Sequence, residues 1–159
     1  MSLLSNKIVY YIILTLVIFI VQVNFPYILF YNNYRMTLDL ILVYITIVGL
    51  LNGSYKLIFY AFVYGIIQDI VFSTSQLGLL SFISSLTAFF LISIKNYNNL
   101  WSTKMKYIVV FLIYLFHFVF YYSILYSDVF GVIFLISFFQ AVFTFLLFFL
   151  VSNFIIKIK

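Results

Sequence analysis

Three carboxylates and one imidazole make up the acid–base chemistry of this 159-residue chain: Asp39, Asp69, Asp128 and His117. That is a thin stock for catalysis. No Ser–His–Asp arrangement, phosphate-binding glycine loop or carboxylate-rich metal cluster is visible in the sequence. The nucleophile–base pair that covalent catalysis needs is missing. The absence of cysteine excludes disulfides, zinc–thiolate sites and iron–sulfur clusters. These residues suit recognition or bracing, so the chain reads as non-enzymatic and as needing no cofactor.

Their setting makes them conspicuous. The chain is 67% hydrophobic and 7% charged. A soluble domain of this size could not hide so much apolar surface, so the expected solvent is lipid. A net charge of +5 does not then imply nucleic acid, because the Lys and Arg of a membrane protein sort by loop. Phe suits the hydrocarbon, and Tyr suits the two interfaces.

A spanning helix needs about 20 apolar residues. Six candidate spans follow, at 8–30, 37–51, 57–72, 77–94, 107–126 and 129–156, in one integral membrane domain covering 1–159. The first is too long for a signal-peptide core and lacks a small-x-small cleavage site, so it is expected to be retained. The turn signal "NGSYK" separates the short second and third spans, which predicts a tight helical hairpin. With six spans and the N-terminus inside, Lys7, Lys56, Lys95, Lys104, Lys106, Lys157 and Lys159 face the cytoplasm, and Arg35 alone faces outward. Both termini are therefore expected to be cytoplasmic. All three carboxylates fall in the outer half or outside.

Asp39 and Asp69 stand fifteen residues on either side of Ser54, the centre of that hairpin turn. Antiparallel helices rising about 1.5 Å per residue bring both to one height. Asp69 shares a face with Gly65, Ala61 and Ile58, and Asp39 shares one with Thr46, Gly49 and Gly53. Small residues let helix backbones approach in membranes, so these are expected packing faces. Asp39 has a structural explanation, as an acid in a first helical turn after Thr37, a potential N-cap, with Arg35 four residues upstream. Asp69 lies near the C-terminal end of its helix, where a negative charge opposes the dipole and needs a donor. Candidate donors are Ser73, Thr74 and Ser75, the free N–H groups opening the next helix, and Arg35. It either braces the loop or forms a docking point for a partner's helix. His117 reads as one interhelical hydrogen bond, and Gln22, Asn24 and Gln140 as further links of that kind. The loop carrying Tyr97, Trp101, Lys104 and Lys106 suits interfacial anchoring, including attraction to anionic membrane lipids, or contact with a cytoplasmic protein.

The stretch from Thr37 to Phe82 resembles the MreD family of rod shape-determining membrane proteins. Asp39-Leu40 opens the second span and Gly53 sits in the turn. Gly65 and Asp69 close the third span as Gly-(x)3-Asp, and Leu77-Gly78 follows. Leu38 departs from the pattern, which usually has proline there. The motifs cover about a third of the chain; length and span count extend the likeness.

The resemblance implies a non-enzymatic scaffold of the bacterial cell-elongation complex, in peptidoglycan synthesis at the inner membrane. Its partners would be an MreC-like protein, actin-like MreB and the elongation transpeptidase and glycosyltransferase. It also implies an all-α fold of six transmembrane helices similar to the substrate-binding subunits of energy-coupling-factor vitamin transporters. Partner binding or local structure would rest on Asp39, Gly65, Asp69, Leu77 and Gly78. The rival expectation is such a transporter subunit itself, with Asp39, Asp69 and His117 lining an outer pocket.

Overall fold

The computed structural model describes residues 2–26, 28–30, 34–72, 76–126 and 130–155, with side chains at all of these except 2–12, 28–30, 34–35, 72, 98 and 155. They form α1 (Ser2–Val23), a hairpin of β1 (Ile28–Phe30) and β2 (Tyr34–Met36), then α2 (Leu40–Asn52), α3 (Lys56–Phe72), α4 (Leu79–Asn96), α5 (Thr103–Leu125) and α6 (Phe130–Ile155). Among the described residues, three helices are long and apolar enough to cross a membrane: α4, α5, and α6 over Phe130–Phe154. This is a helical protein of membrane character.

The first apolar run departs from expectation. Instead of continuing to Phe30, the helix stops at Val23 and the chain turns into the antiparallel hairpin, which pairs Ile28 with Met36, Leu29 with Arg35 and Phe30 with Tyr34. Pro26 is the physical reason. It has no N–H to give a helix and pushes the residue before it out of the α region. Asn24 ends the helix by turning its side-chain amide back onto the Ile20 carbonyl, 2.8 Å away. That bond lies within α1, so Asn24 does not join two helices as expected.

The helices stack in three layers, with α2 and α4 in the middle, α1 and α3 on one side, and α6 and α5 on the other. A hydrogen bond from the Tyr64 hydroxyl to Thr15 joins the two helices of the outer α1–α3 layer. Consecutive helices α2 and α3 touch only slightly; α3 packs chiefly on α4. The expected tight α2–α3 hairpin is therefore a short turn between helices that share only a small contact. Its C-cap, Gly53, has φ 57°, a left-handed conformation that favours glycine. A Cβ there would also meet Lys95 Cγ at 2.7 Å.

At 13 residues, α2 reaches only about 20 Å, less than a typical hydrocarbon core. Its place in the middle layer accommodates this, because Ile41, Leu42, Val43, Ile45, Thr46 and Gly49 are buried against protein. Alternating helices give the bundle two ends. The α2–α3 turn and the α4–α5 loop, with their lysines, lie at one. Asp39, Asp69 and the start of α4 lie at the other.

Candidate functional site

The corner between α3 and α4 gathers four of the residues singled out from sequence. Gly65 comes first because it sets the distance between the two helices. A Cβ on Gly65 would overlap Ser81 Cα and stand 2.5 Å from Ser81 N and 2.8 Å from the Leu80 carbonyl carbon. All three are backbone atoms that no side-chain rotation can move. Glycine is thus required by space, and the face shared by Gly65 and Ala61 packs on α4, not on α2.

One turn later the same face presents Asp69. Its carboxylate is fully buried and receives four donors from the start of α4: Gly78 N–H at 2.9 Å, Leu80 N–H at 3.1 Å, Ser81 N–H at 3.4 Å and the Ser81 hydroxyl at 3.2 Å. Those N–H groups belong to the first turn of a helix, where the backbone supplies no acceptor. Gly78 occupies the N-cap position of α4 and has no side chain with which to cap it. Asp69 supplies the cap from the preceding helix, and the partial positive charge of the α4 N-terminus offsets the unfavourable end of α3. Of the donors considered from sequence, the opening N–H groups of the next helix are the ones used. Ser73, Thr74, Ser75 and the Arg35 side chain lie outside the described residues.

Gly78 is required for a different reason. A Cβ there would meet nothing within 4 Å, but its φ is 99°, which L-residues rarely adopt. Beside it, Leu77 is 70% exposed, and Ile70 and Phe82, at 60% and 57%, are also exposed near the corner.

Asp39 lies elsewhere. It is itself the N-cap of α2, accepting from Leu42 N–H at 2.9 Å, so Thr37 is not the cap. Gln22 clamps the same turn, donating to Asp39 Oδ1 at 3.4 Å and accepting from Ile41 N–H at 2.9 Å. The buried Gln68 side chain reaches the Asp39 carboxylate from α3. Gln68 and Asp69 are neighbours in sequence, so the two carboxylates do share a level. They serve different helix starts rather than one polar site.

His117 is also separate. Its Nδ1 lies 2.9 Å from Thr87 Oγ1, joining α5 to α4. Two further bridges are buried, and the first went unrecognised in the sequence. The Tyr114 hydroxyl donates to Thr46 at 2.7 Å. Gln140, foreseen as a link between helices, accepts from the Tyr122 hydroxyl and donates to the Thr37 carbonyl at 3.0 Å. Tyrosine in an aromatic-rich chain reads as an interfacial residue, and nothing in the pattern distinguishes these inward-facing ones. Among the described residues no group of three His, Cys, Asp or Glu could hold a metal ion.

What the corner can do is hold two helices in a fixed register and present Leu77 at their junction. No protein-family model, curated protein or solved structure matches the chain.

Proposed function

We propose that the chain is a membrane scaffold of the MreD type: a six-span protein of the bacterial inner membrane with both termini cytoplasmic. It would dock an MreC-like partner within the cell-elongation complex, alongside MreB and the elongation transpeptidase and glycosyltransferase. The observation that carries the reading is the α3–α4 corner. The residues of the Gly-(x)3-Asp and Leu-Gly motifs meet there, with Asp69 capping the start of α4 and Leu77 exposed beside it. A scaffold needs a surface of fixed shape, and a buried cap tied to a close glycine contact supplies one.

In this reading Asp69 does not touch the partner. It fixes the junction, and Leu77 makes the contact. The rival transporter-subunit reading, with a fold similar to energy-coupling-factor binding subunits, needs Asp39, Asp69 and His117 turned toward a common chamber. Each is bonded to a different helix start or neighbour, so that reading has less support.

The test is replacement of the resident MreD in a rod-shaped bacterium by this chain, together with any MreC-like protein encoded beside it. Rods should return, and the neighbour should co-purify. Leu77→Glu should insert at normal abundance yet lose the neighbour. Spherical cells with the unaltered chain, or full recruitment by Leu77→Glu, would refute the proposal. Cysteine labelling checks the topology: a probe at Ser127 should react from outside intact cells, and one at Asn98 only after permeabilisation.

A further inference from the structure

We propose that the lysine end of the bundle is a docking surface for anionic phospholipid headgroups. The proposal rests on charge placement at that end and stands apart from the scaffold reading.

Lys56 opens α3, Lys95 closes α4, and Lys104 and Lys106 lie in the first turn of α5. Both described carboxylates, Asp39 and Asp69, are at the opposite end of the bundle, buried and already supplied with donors. The field of the four lysines is therefore not offset by an acid of the described chain at their own end.

Two of the cations come from different connections and are held together. The Lys95 stem lies across Gly53, where even a Cβ would meet its Cγ at 2.7 Å. Beside it, Asn96 donates to the Tyr55 hydroxyl at 3.3 Å, tying the α4–α5 loop to the α2–α3 turn that leads into Lys56. Tyr55, Tyr97 and Leu100, in the same two connections, are 65%, 61% and 79% exposed. Such side chains suit the boundary between headgroups and acyl chains, with ammonium groups directed to phosphates. Together, lysines gathered at one end and exposed apolar and aromatic side chains in the same connections fit a leaflet rich in anionic lipid.

Trp101, the chain's single tryptophan, sits in the α4–α5 loop and provides an intrinsic reporter. The experiment reconstitutes the full chain in bilayers and measures quenching of its fluorescence by brominated phosphatidylglycerol against brominated phosphatidylcholine. The unaltered protein should favour the anionic lipid. Each Lys→Gln substitution among Lys56, Lys95, Lys104 and Lys106 should lower the preference, by up to about fivefold for a lysine seated at the surface. The four-fold Gln variant should show no preference, and the matching Lys→Arg variant should keep it. Should the Gln variant fail to fold, the unaltered protein in 1 M salt gives the same comparison, because screening there falls to about 3 Å. Equal quenching by the two lipids in the unaltered protein overturns the proposal. A preference that survives lysine removal or high salt overturns it equally.

Discussion

The bundle closes two of its seams by different means. Between α3 and α4, a glycine brings the backbones together and a carboxylate ties one helix to the start of the next. Between α5 and α6, rings do the work. Tyr107 packs its ring against Phe145, Phe148 and Phe149, and Phe111 meets Phe138 and Phe145 edge-on at 6.1 and 5.5 Å. In lipid, apolar burial gives helices little reason to associate, so packing and internal hydrogen bonds must hold them. The first seam depends on a few irreplaceable atoms. The second spreads its attraction over many contacts of roughly 1 kcal/mol each. The lesson is one of tolerance: the glycine–carboxylate seam should fail at single positions, and the aromatic seam should degrade gradually.

The sharpest way to break the contrast is Gly65→Leu. Four added carbons directed at α4 backbone should cost about 3 kcal/mol or more and abolish most folded protein in detergent. Gly131→Leu is the matched control, because a Cβ there meets nothing within 4 Å, and its thermal midpoint should stay unchanged. Equal damage from both would mean that leucine bulk itself, not the α3–α4 contact, is at fault.

Asp69→Leu comes next. It strands the Gly78, Leu80 and Ser81 donors, at a cost of about 2–3 kcal/mol. Asp69→Asn should be intermediate. The structure sharpens this expectation because donors approach both carboxylate oxygens. An amide keeps one acceptor and turns its own N–H group toward the others. Denaturation in mild detergent should rank the stability Asp, Asn, Leu; an Asn variant as weak as Leu would show that charge alone matters.

A smaller effect is expected on the aromatic side. Phe111→Ala removes two edge-to-face contacts and should lower stability by about 1–2 kcal/mol, with Phe111→Leu recovering about half. Loss of folded protein comparable to Gly65→Leu would erase the distinction between the seams.

Thr144→Val should change least, and in the favourable direction. Thr144 on α6 is completely buried, and its hydroxyl has no hydrogen-bond partner among the described residues. Valine keeps the shape and removes the unmet polar group, so stability should hold or rise by up to about 1 kcal/mol. A marked loss in a thermal melt would mean that the hydroxyl has a partner not accounted for.

How far these features could be read beforehand depended on how local their causes are. Helix positions from the second run onward, the shared face of Gly65 and Asp69, and the common level of the two carboxylates all follow from spacing along one helix or hairpin. Which helix that face meets does not. The short "NGSYK" turn suggested α2 as the neighbour, whereas the small residues around Ser81 on α4 admit a closer backbone contact. Local rules should have caught the stop at Pro26; hydropathy alone obscured it, because the residues after it are as apolar as those before. Tyr114 with Thr46, and Tyr122 with Gln140, pair positions 68 and 18 residues apart, and hydroxyls on such helices give no sign of which side they face.

The carboxylate of Asp69 also bears on how the chain is made. Every group among the described residues that bonds it lies downstream, nine to twelve residues later in the sequence. When α3 first leaves the ribosome, Asp69 has none of these partners and carries its full cost of leaving water. Once Gly78 to Ser81 emerge, the partners arrive together over a very short loop, where closure is fast. If α3 crosses the bilayer, as the six-span proposal has it, its integration is a two-helix event. A nascent chain halted before Gly78 should let α3 slip back toward the aqueous phase, and a chain carrying α4 should retain it.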